Sequence, residues 1–283
     1  MREILTLPED QFLAVLQMMS ESKAAHGIIA RTANAIAQKA DRERSSVISS
    51  TQRQTAFLDD PHIVDSLKRS EVDFDRLKIE PMTVYIVLPQ DQVQVGPQAR
   101  FVRALIHLAL QGVMRVQGMP AHPVVFLLDE FAALGRMPAV EGAISMLAGH
   151  GGLFWILVQD LSQLQSVYDK WGTFFANSVL QAFATQDLFT LKYLSEHLGS
   201  ETIVVQSSSS SSGSNSSTES TSTSAHGRPL MMPDEIRRMQ SDRAIVLIQG
   251  QPPYLLRKLN YLTDPDFAGQ AAQNPMYSAA RLS

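Results

Sequence analysis

Two adjacent carboxylates close a short apolar run: Val124-Val125-Phe126-Leu127-Leu128 leads directly into Asp129-Glu130. A strand of this composition, buried on both faces of an α/β sheet, delivers its acids at the carboxyl edge, where ligands bind in open parallel sheets. In a nucleotide-hydrolysing site the first carboxylate holds the magnesium shell, as a Walker-B Asp does. The second orients or deprotonates the attacking water. The same acids could instead begin a loop or cap the next helix. A second apolar run, Ile156-Leu157-Val158, ends in Gln159-Asp160. An uncharged amide at a strand tip can hydrogen-bond a terminal phosphate and register its loss, or it can cap the helix that follows.

Other chemistries are thinly represented. The 283 residues contain no cysteine, which excludes disulfides, a thiolate nucleophile and Cys-ligated metals. The seven histidines occur singly, without metal-ligand spacing, and no Gly-x-Ser-x-Gly elbow is present. A net charge of −4, from 24 basic and 28 acidic residues, argues against coating nucleic acid by bulk attraction. Arg42, Arg44, Arg53, Lys68 and Arg69 alternate with Asp41, Glu43, Asp59 and Asp60, as on a solvated mixed surface. The apolar runs are far shorter than the ~18–20 residues of a spanning helix. No basic start followed by an apolar stretch marks a signal peptide in Met1-Arg2-Glu3-Ile4-Leu5.

Two kinds of element must position these residues. Residues 8–58 carry helical periodicity (Phe12, Leu13, Val15, Leu16 and Met19, then Ile28, Ile29, Ala33 and Ile36) and no strand candidate. They are therefore expected to form an all-helical subdomain ending near Asp59-Asp60-Pro61. From Met82 the pattern changes to strand-length apolar runs alternating with helices: Met82–Leu88, Val124–Leu128, Leu153–Val158, a weaker Val179–Thr185, and Ala244–Ile248. This alternation predicts an α/β fold built on a parallel sheet covered on both faces, with Phe154 and Trp155 in its core. Residues 207–224 are almost pure Ser and Thr, a composition that predicts a disordered loop because it buries too little apolar area to offset ordering entropy.

The run Leu127-Leu128-Asp129-Glu130-Phe131-Ala132-Ala133-Leu134-Gly135 resembles the Walker-B segment of type IV secretion coupling proteins, the TraG/TraD-like ATPases of conjugative transfer. Ile156 to Leu164 resembles the family's next motif. Phe57-Leu58-Asp59-Asp60-Pro61, Arg228-Pro229-Leu230-Met231, Gly250-Gln251-Pro252-Pro253 and Tyr261-Leu262-Thr263-Asp264-Pro265-Asp266-Phe267 follow in family order. The resemblance implies a RecA-like, P-loop NTPase sheet over residues 76–283 and an all-α substrate-docking subdomain over 1–75. It implies ATP and Mg2+ as ligands, with Asp129 on the magnesium side through water, Glu130 as catalytic base and Gln159 as phosphate sensor. It further implies a hexamer at the cytoplasmic face of the bacterial inner membrane. Such an assembly hands DNA–relaxase (relaxosome) or effector-protein substrates to secretion-channel components.

The sequence departs from that pattern in one chemical respect. None of its fifteen glycines is followed by Lys, so the Gly-x-x-x-x-Gly-Lys-Ser/Thr phosphate cradle does not occur in it. Neither does an apolar run that could serve as the family's membrane anchor. The chain therefore reads as the carboxy-terminal portion of a coupling protein, expected to be inactive in ATP hydrolysis alone. Gly149-His150-Gly151-Gly152 stands where the family often carries a basic residue, and Arg136 reads equally as a surface arginine. Two alternatives remain: a non-catalytic partner-binding module, or another RecA-like DNA-pumping ATPase.

Overall fold

The computed structural model describes residues 2–89, 96–176, 178–213, 216–267, 269–270 and 272, with backbone alone inside 208–221. It divides into two units, Met1–Leu157 and Val158–Ser283. Among the described residues no helix is long and apolar enough to cross a membrane.

The first unit opens with α1 (Arg2–Leu5), α2 (Glu9–Ser20), α3 (Ile28–Ala37), α4 (Asp41–Gln54) and α5 (Pro61–Ser66). Pro8 precedes α2, and Glu9 and Asp10 fill its first turn, where acids complement the helix dipole. Phe12, Leu16 and Ala33 form the buried seam between α2 and α3, flanked by Leu7, Met19, Ile36 and Ile48. Arg44 departs from the solvated surface expected of it. Its guanidinium is buried, donating to Glu9 at 2.9 Å, to Asp41 at 2.7 Å and to the Lys39 carbonyl at 3.1 Å. Partners on several sides make that burial tolerable for a permanent cation. Asp60 caps α5 by accepting from the His62 amide at 2.9 Å, and accepts from the Gln98 amide at 3.1 Å. That second bond ties the helical stretch to α6 (Gln98–Arg115), whose Ala99, Val102, Ile106, Ala109, Leu110 and Val113 form one buried stripe at helical spacing.

β1 (Val124–Leu128) follows, then α7 (Pro138–Ala143) and β2 (Gly152–Ile156). The strands pair in parallel, Val124 opposite Gly152 through Leu128 opposite Ile156. Gly151 turns the chain into β2 at φ 79°, and a Cβ there would sit 2.2 Å from Pro120 Cδ, so no other residue fits without displacing that proline. Two expectations fail here. Met82–Leu88 is hydrogen-bonded into no sheet among the described residues. It runs beside a cavity of about 1140 Å³ that it lines together with β1 and α6. A strand needs a ladder partner, and apolar alternation does not supply one. The sheet is also covered on one face only: Phe126 and Leu128 are buried, whereas Val125, Leu127, Leu153 and Trp155 are exposed, so Trp155 is not a core residue.

The second unit contains α8 (Leu161–Val167), β3 (Leu180–Ala182), α9 (Leu188–Leu198), β4 (Ser200–Gly213), β5 (Ser216–Pro229), α10 (Pro233–Arg237), β6 (Arg243–Leu247) and β7 (Tyr254–Arg257). Its core is Leu191, Leu194 and Leu198 of α9 against Ile236 and Ile245. β3, β6 and β7 form an antiparallel sheet where a parallel one was expected. The short link from β6 to β7, turning at Gly250 with φ 76°, leaves no room for the crossover that a parallel connection requires. The Ser/Thr tract also differs from the expected disordered loop. Its backbone forms a two-stranded antiparallel ribbon, Ser200 opposite Pro229 through Gly213 opposite Ser216. Residues 214 and 215 lie outside the described residues. Ladder hydrogen bonds satisfy the backbone without apolar burial, and composition alone does not register that option.

Candidate active site

β1 ends by handing the chain to a tight turn. Asp129 is exposed, and its Oδ1 accepts from the Glu130 amide at 3.0 Å. Glu130 occupies the left-handed region at φ 47°, ψ 41°, a conformation that costs a side-chain-bearing residue about 1–2 kcal/mol. Such strain persists where the surroundings over-determine it, and it gathers at functional sites. The surroundings here are explicit. The Leu157 amide donates to the Leu128 carbonyl at 3.0 Å, and the Phe131 amide donates to the Leu157 carbonyl at 3.0 Å, locking the tips of β1 and β2 together. Phe131, Ala132 and Leu134 of the following 3₁₀ turn are buried, and Arg103 of α6 donates to the Leu134 carbonyl at 2.6 Å. The carboxylate of Glu130 makes no capping bond to this turn, so the reading of the acids as helix caps does not describe it.

Gln159 lies three residues beyond β2, at the start of the second unit. It does not cap the helix that follows: Asp160 does, accepting from the Gln163 amide at 2.7 Å. Gln159 is exposed, and its side-chain amide makes no hydrogen bond among the described residues. The structure thus brings Asp129 and Glu130 together on one turn of the first unit, and Gln159 belongs to the second.

A support beneath that segment was not read from the sequence. The Leu161 amide donates to Thr190 Oγ1 at 2.9 Å, and the Thr190 hydroxyl donates to Asp187 at 2.6 Å. Asp187 also accepts from the Ser162 hydroxyl at 2.8 Å and from the Thr190 amide at 2.8 Å, capping α9. The signal was present as an Asp directly before an apolar helical run. The Thr190 hydroxyl foremost, then the Thr190 amide and the Ser162 hydroxyl, hold the Asp187 carboxyl below its ordinary value. A lowered folded pKa contributes stability that is present above the unfolded value of about 4 and is lost as pH falls through the folded one. Asp187→Asn should therefore be less stable than wild type at pH 7, with the gap closing as pH is lowered below about 4. Urea midpoints at pH 7 and pH 3 measure this, and a gap independent of pH would refute it.

Asp129 and Glu130 form a pair rather than a cage, since no group of three or more His, Asp or Glu that could hold a metal occurs among the described residues. That pair nevertheless fits magnesium in a nucleotide site, where one or two carboxylates hold the ion through water and substrate phosphates complete its shell.

Residues 5–282 match the family described as type IV secretory system conjugative DNA transfer. The chain belongs to this family. VirD4 of Agrobacterium fabrum is 34% identical over 215 residues, covering 72% of this chain and 31% of that protein. TraG of Escherichia coli is 25% identical over 274 residues, 87% of this chain and 43% of the relative. The chain therefore spans between 31% and 43% of the length of these two relatives. The coupling protein TrwB in complex with the ATP analogue ADPNP superposes with a TM-score of 0.64 at 16% identity, over 90% of this chain and 56% of that one. TrwB in complex with ADP and Mg2+ gives 0.59 at 15% identity, over 87% and 59%. The fold of this coupling protein is accordingly RecA-like α/β.

Proposed function

We propose that this chain is the catalytic-carboxylate half of an ATP-driven coupling motor for conjugative transfer. The observation that carries the reading is the Asp129–Glu130 turn, a strained pair of acids locked to the neighbouring strand tip. In this reading Asp129 holds magnesium through water, and the ion supplies charge neutralisation at the transferred phosphate. Glu130 orients the attacking water and accepts its proton, and Gln159, unused by the helix cap, contacts the terminal phosphate. TrwB structures with ADPNP and with ADP and Mg2+ support nucleotide and magnesium as ligands. The phosphate cradle must come from residues outside these 283, since none of the glycines here precedes a Lys. Residues 1–75 are assigned to docking relaxosome or effector proteins, with DNA as the cargo class. The assembly is assigned to a hexamer on the cytoplasmic face of the inner membrane, beside the secretion channel.

The test is phosphate release from ATP and Mg2+. This chain alone should show none above background. Mixed with the portion of the A. fabrum VirD4 relative that lies outside the aligned stretch, it should turn over ATP, and Glu130→Gln should remove that turnover. Turnover in the mixture that is indifferent to Glu130 would overturn the assignment.

A further inference from the structure

The backbone just past Gln159 is held by a single hydroxyl. Gln159 is followed by Asp160, extended at φ −157° and ψ 168°, and by Leu161, the first residue of α8. The first amides of a helix have no partner within it. Asp160 accepts from the Gln163 amide at 2.7 Å, and the buried Leu161 sends its amide to Thr190 Oγ1 at 2.9 Å. Thr190 is also buried. A hydroxyl has one proton, so its oxygen faces an amide only when that proton points elsewhere. Asp187 fixes this: its Oδ2 accepts from the Thr190 hydroxyl at 2.6 Å and from the Thr190 amide at 2.8 Å. Its Oδ1 accepts from the Ser162 hydroxyl at 2.8 Å. The N-termini of α8 and α9 are thereby joined through one carboxylate. The joint is rooted in the core of the second unit, where Leu191, Leu194 and Leu198 of α9 pack with Ile236 and Ile245. Ser195 of the same helix donates to the Met231 carbonyl at 2.7 Å.

Helix capping does not require this bridge. α8 already has Asp160 as its cap and α9 has Asp187. What the Thr190 bridge adds is a fixed point two residues past Gln159. The intervening Asp160 has its own side chain committed to Gln163. Gln159 is exposed and its side-chain amide makes no hydrogen bond among the described residues, so its backbone is what aims it. We infer that Thr190 is a positioning residue for ATP hydrolysis: oriented by Asp187, its hydroxyl fixes the Leu161 backbone and so sets where Gln159 presents its amide to the terminal phosphate. The inference rests on the motor reading above. A clamp that only supports the fold changes stability alone. A positioning clamp also changes turnover of folded molecules, because misplacing a group at the reacting centre by about 1 Å costs up to ~10²-fold. The triphosphate is held mainly by its cradle, so the loss falls on kcat rather than KM.

Two measurements test this. The first uses the full chain without nucleotide. Hydrogen exchange at the Leu161 amide should be slow in wild type and in Thr190→Ser. It should be about tenfold faster or more in Thr190→Val, which keeps the shape and loses the acceptor, while the Leu194 and Leu198 amides keep their protection. Equal protection of Leu161 in Thr190→Val and wild type overturns the clamp. The second is phosphate release in the mixture with the VirD4 portion, at a temperature where each variant is folded. Thr190→Val should lower kcat about tenfold or more with KM for ATP within about threefold of wild type, and Thr190→Ser should restore it. In a Gln159→Ala background Thr190→Val should lower kcat no further, whereas independent effects would multiply. Multiplied losses, or an unchanged kcat in Thr190→Val, overturn the positioning role. Turnover that survives Gln159→Ala intact overturns the phosphate contact of Gln159 and the positioning role with it. A mixture in which wild type releases no phosphate overturns the motor reading, and the exchange result then decides the clamp alone. Should Thr190→Val fail to fold, Asp187→Asn takes its place. An amide there donates to Thr190 Oγ1 and competes with Leu161 for it, so the same changes in exchange and kcat are expected.

Discussion

Replacing Glu130 with glycine is expected to abolish ATP turnover by the completed motor while relieving the backbone strain of the left-handed turn. The two effects come from different atoms. Loss of the carboxylate removes the group assigned to activate water, and a general base of this kind contributes about 10²–10⁴-fold. The backbone effect has the opposite sign. At φ 47° and ψ 41° the Cβ of Glu130 crowds its own carbonyl, at a cost of about 1–2 kcal/mol that glycine does not incur. Glycine also enlarges the conformational freedom of the unfolded chain, worth about 0.4–1 kcal/mol against it. These two backbone contributions net to between no change and about 1.6 kcal/mol of added stability. Glu130→Gln is the matched control, since it removes the charge and keeps the strain. Turnover should fall in both variants, and the urea midpoint should rise only in the glycine one. A glycine variant destabilised by more than about 1 kcal/mol would mean that the side chain holds the turn. Turnover within tenfold of wild type would mean that it is not the base.

Phe131→Ala should be the most destabilising single change near the site. Phe131 is fully buried beneath the turn, its amide is bonded to the Leu157 carbonyl, and the buried Ala132 and Leu134 follow it. Truncating a buried Phe removes its transfer free energy and leaves a cavity, at a cost of about 3–5 kcal/mol. In a unit of this size that corresponds to a fall in melting temperature of about 10 °C. Phe131→Leu keeps most of the volume and should cost less than half as much. Because the buried ring directly follows the strained turn, Phe131→Ala should also lower turnover in the reconstituted motor under conditions where the chain remains folded. A loss below about 1 kcal/mol would show that the turn is held by its backbone bonds alone.

Local composition and motif order carry the family and most of the elements. The strand that ends in Asp129 and Glu130 is legible because an apolar run of strand length bounded by acids follows from local composition. α2, α6 and α9 are legible from their periodic stripes. The RecA-like class and the family are legible from the motifs that follow Asp129, Glu130 and Gln159 in order. The tertiary structure decided what depends on pairing across distance. Only the register shows that Val125 and Leu127 share a bare face with Leu153 and Trp155, because hydrophobicity marks a residue as fit for burial without saying what covers it. Only the fold shows that Met82–Leu88 has no ladder partner among the described residues, and that the stretches 200–213 and 216–229 pair with each other, since hydrogen-bond partners are non-local. The left-handed strain at Glu130 was equally out of reach. A glutamate adopts that backbone only when the strand tips on either side, locked through Leu128, Phe131 and Leu157, leave it no other path.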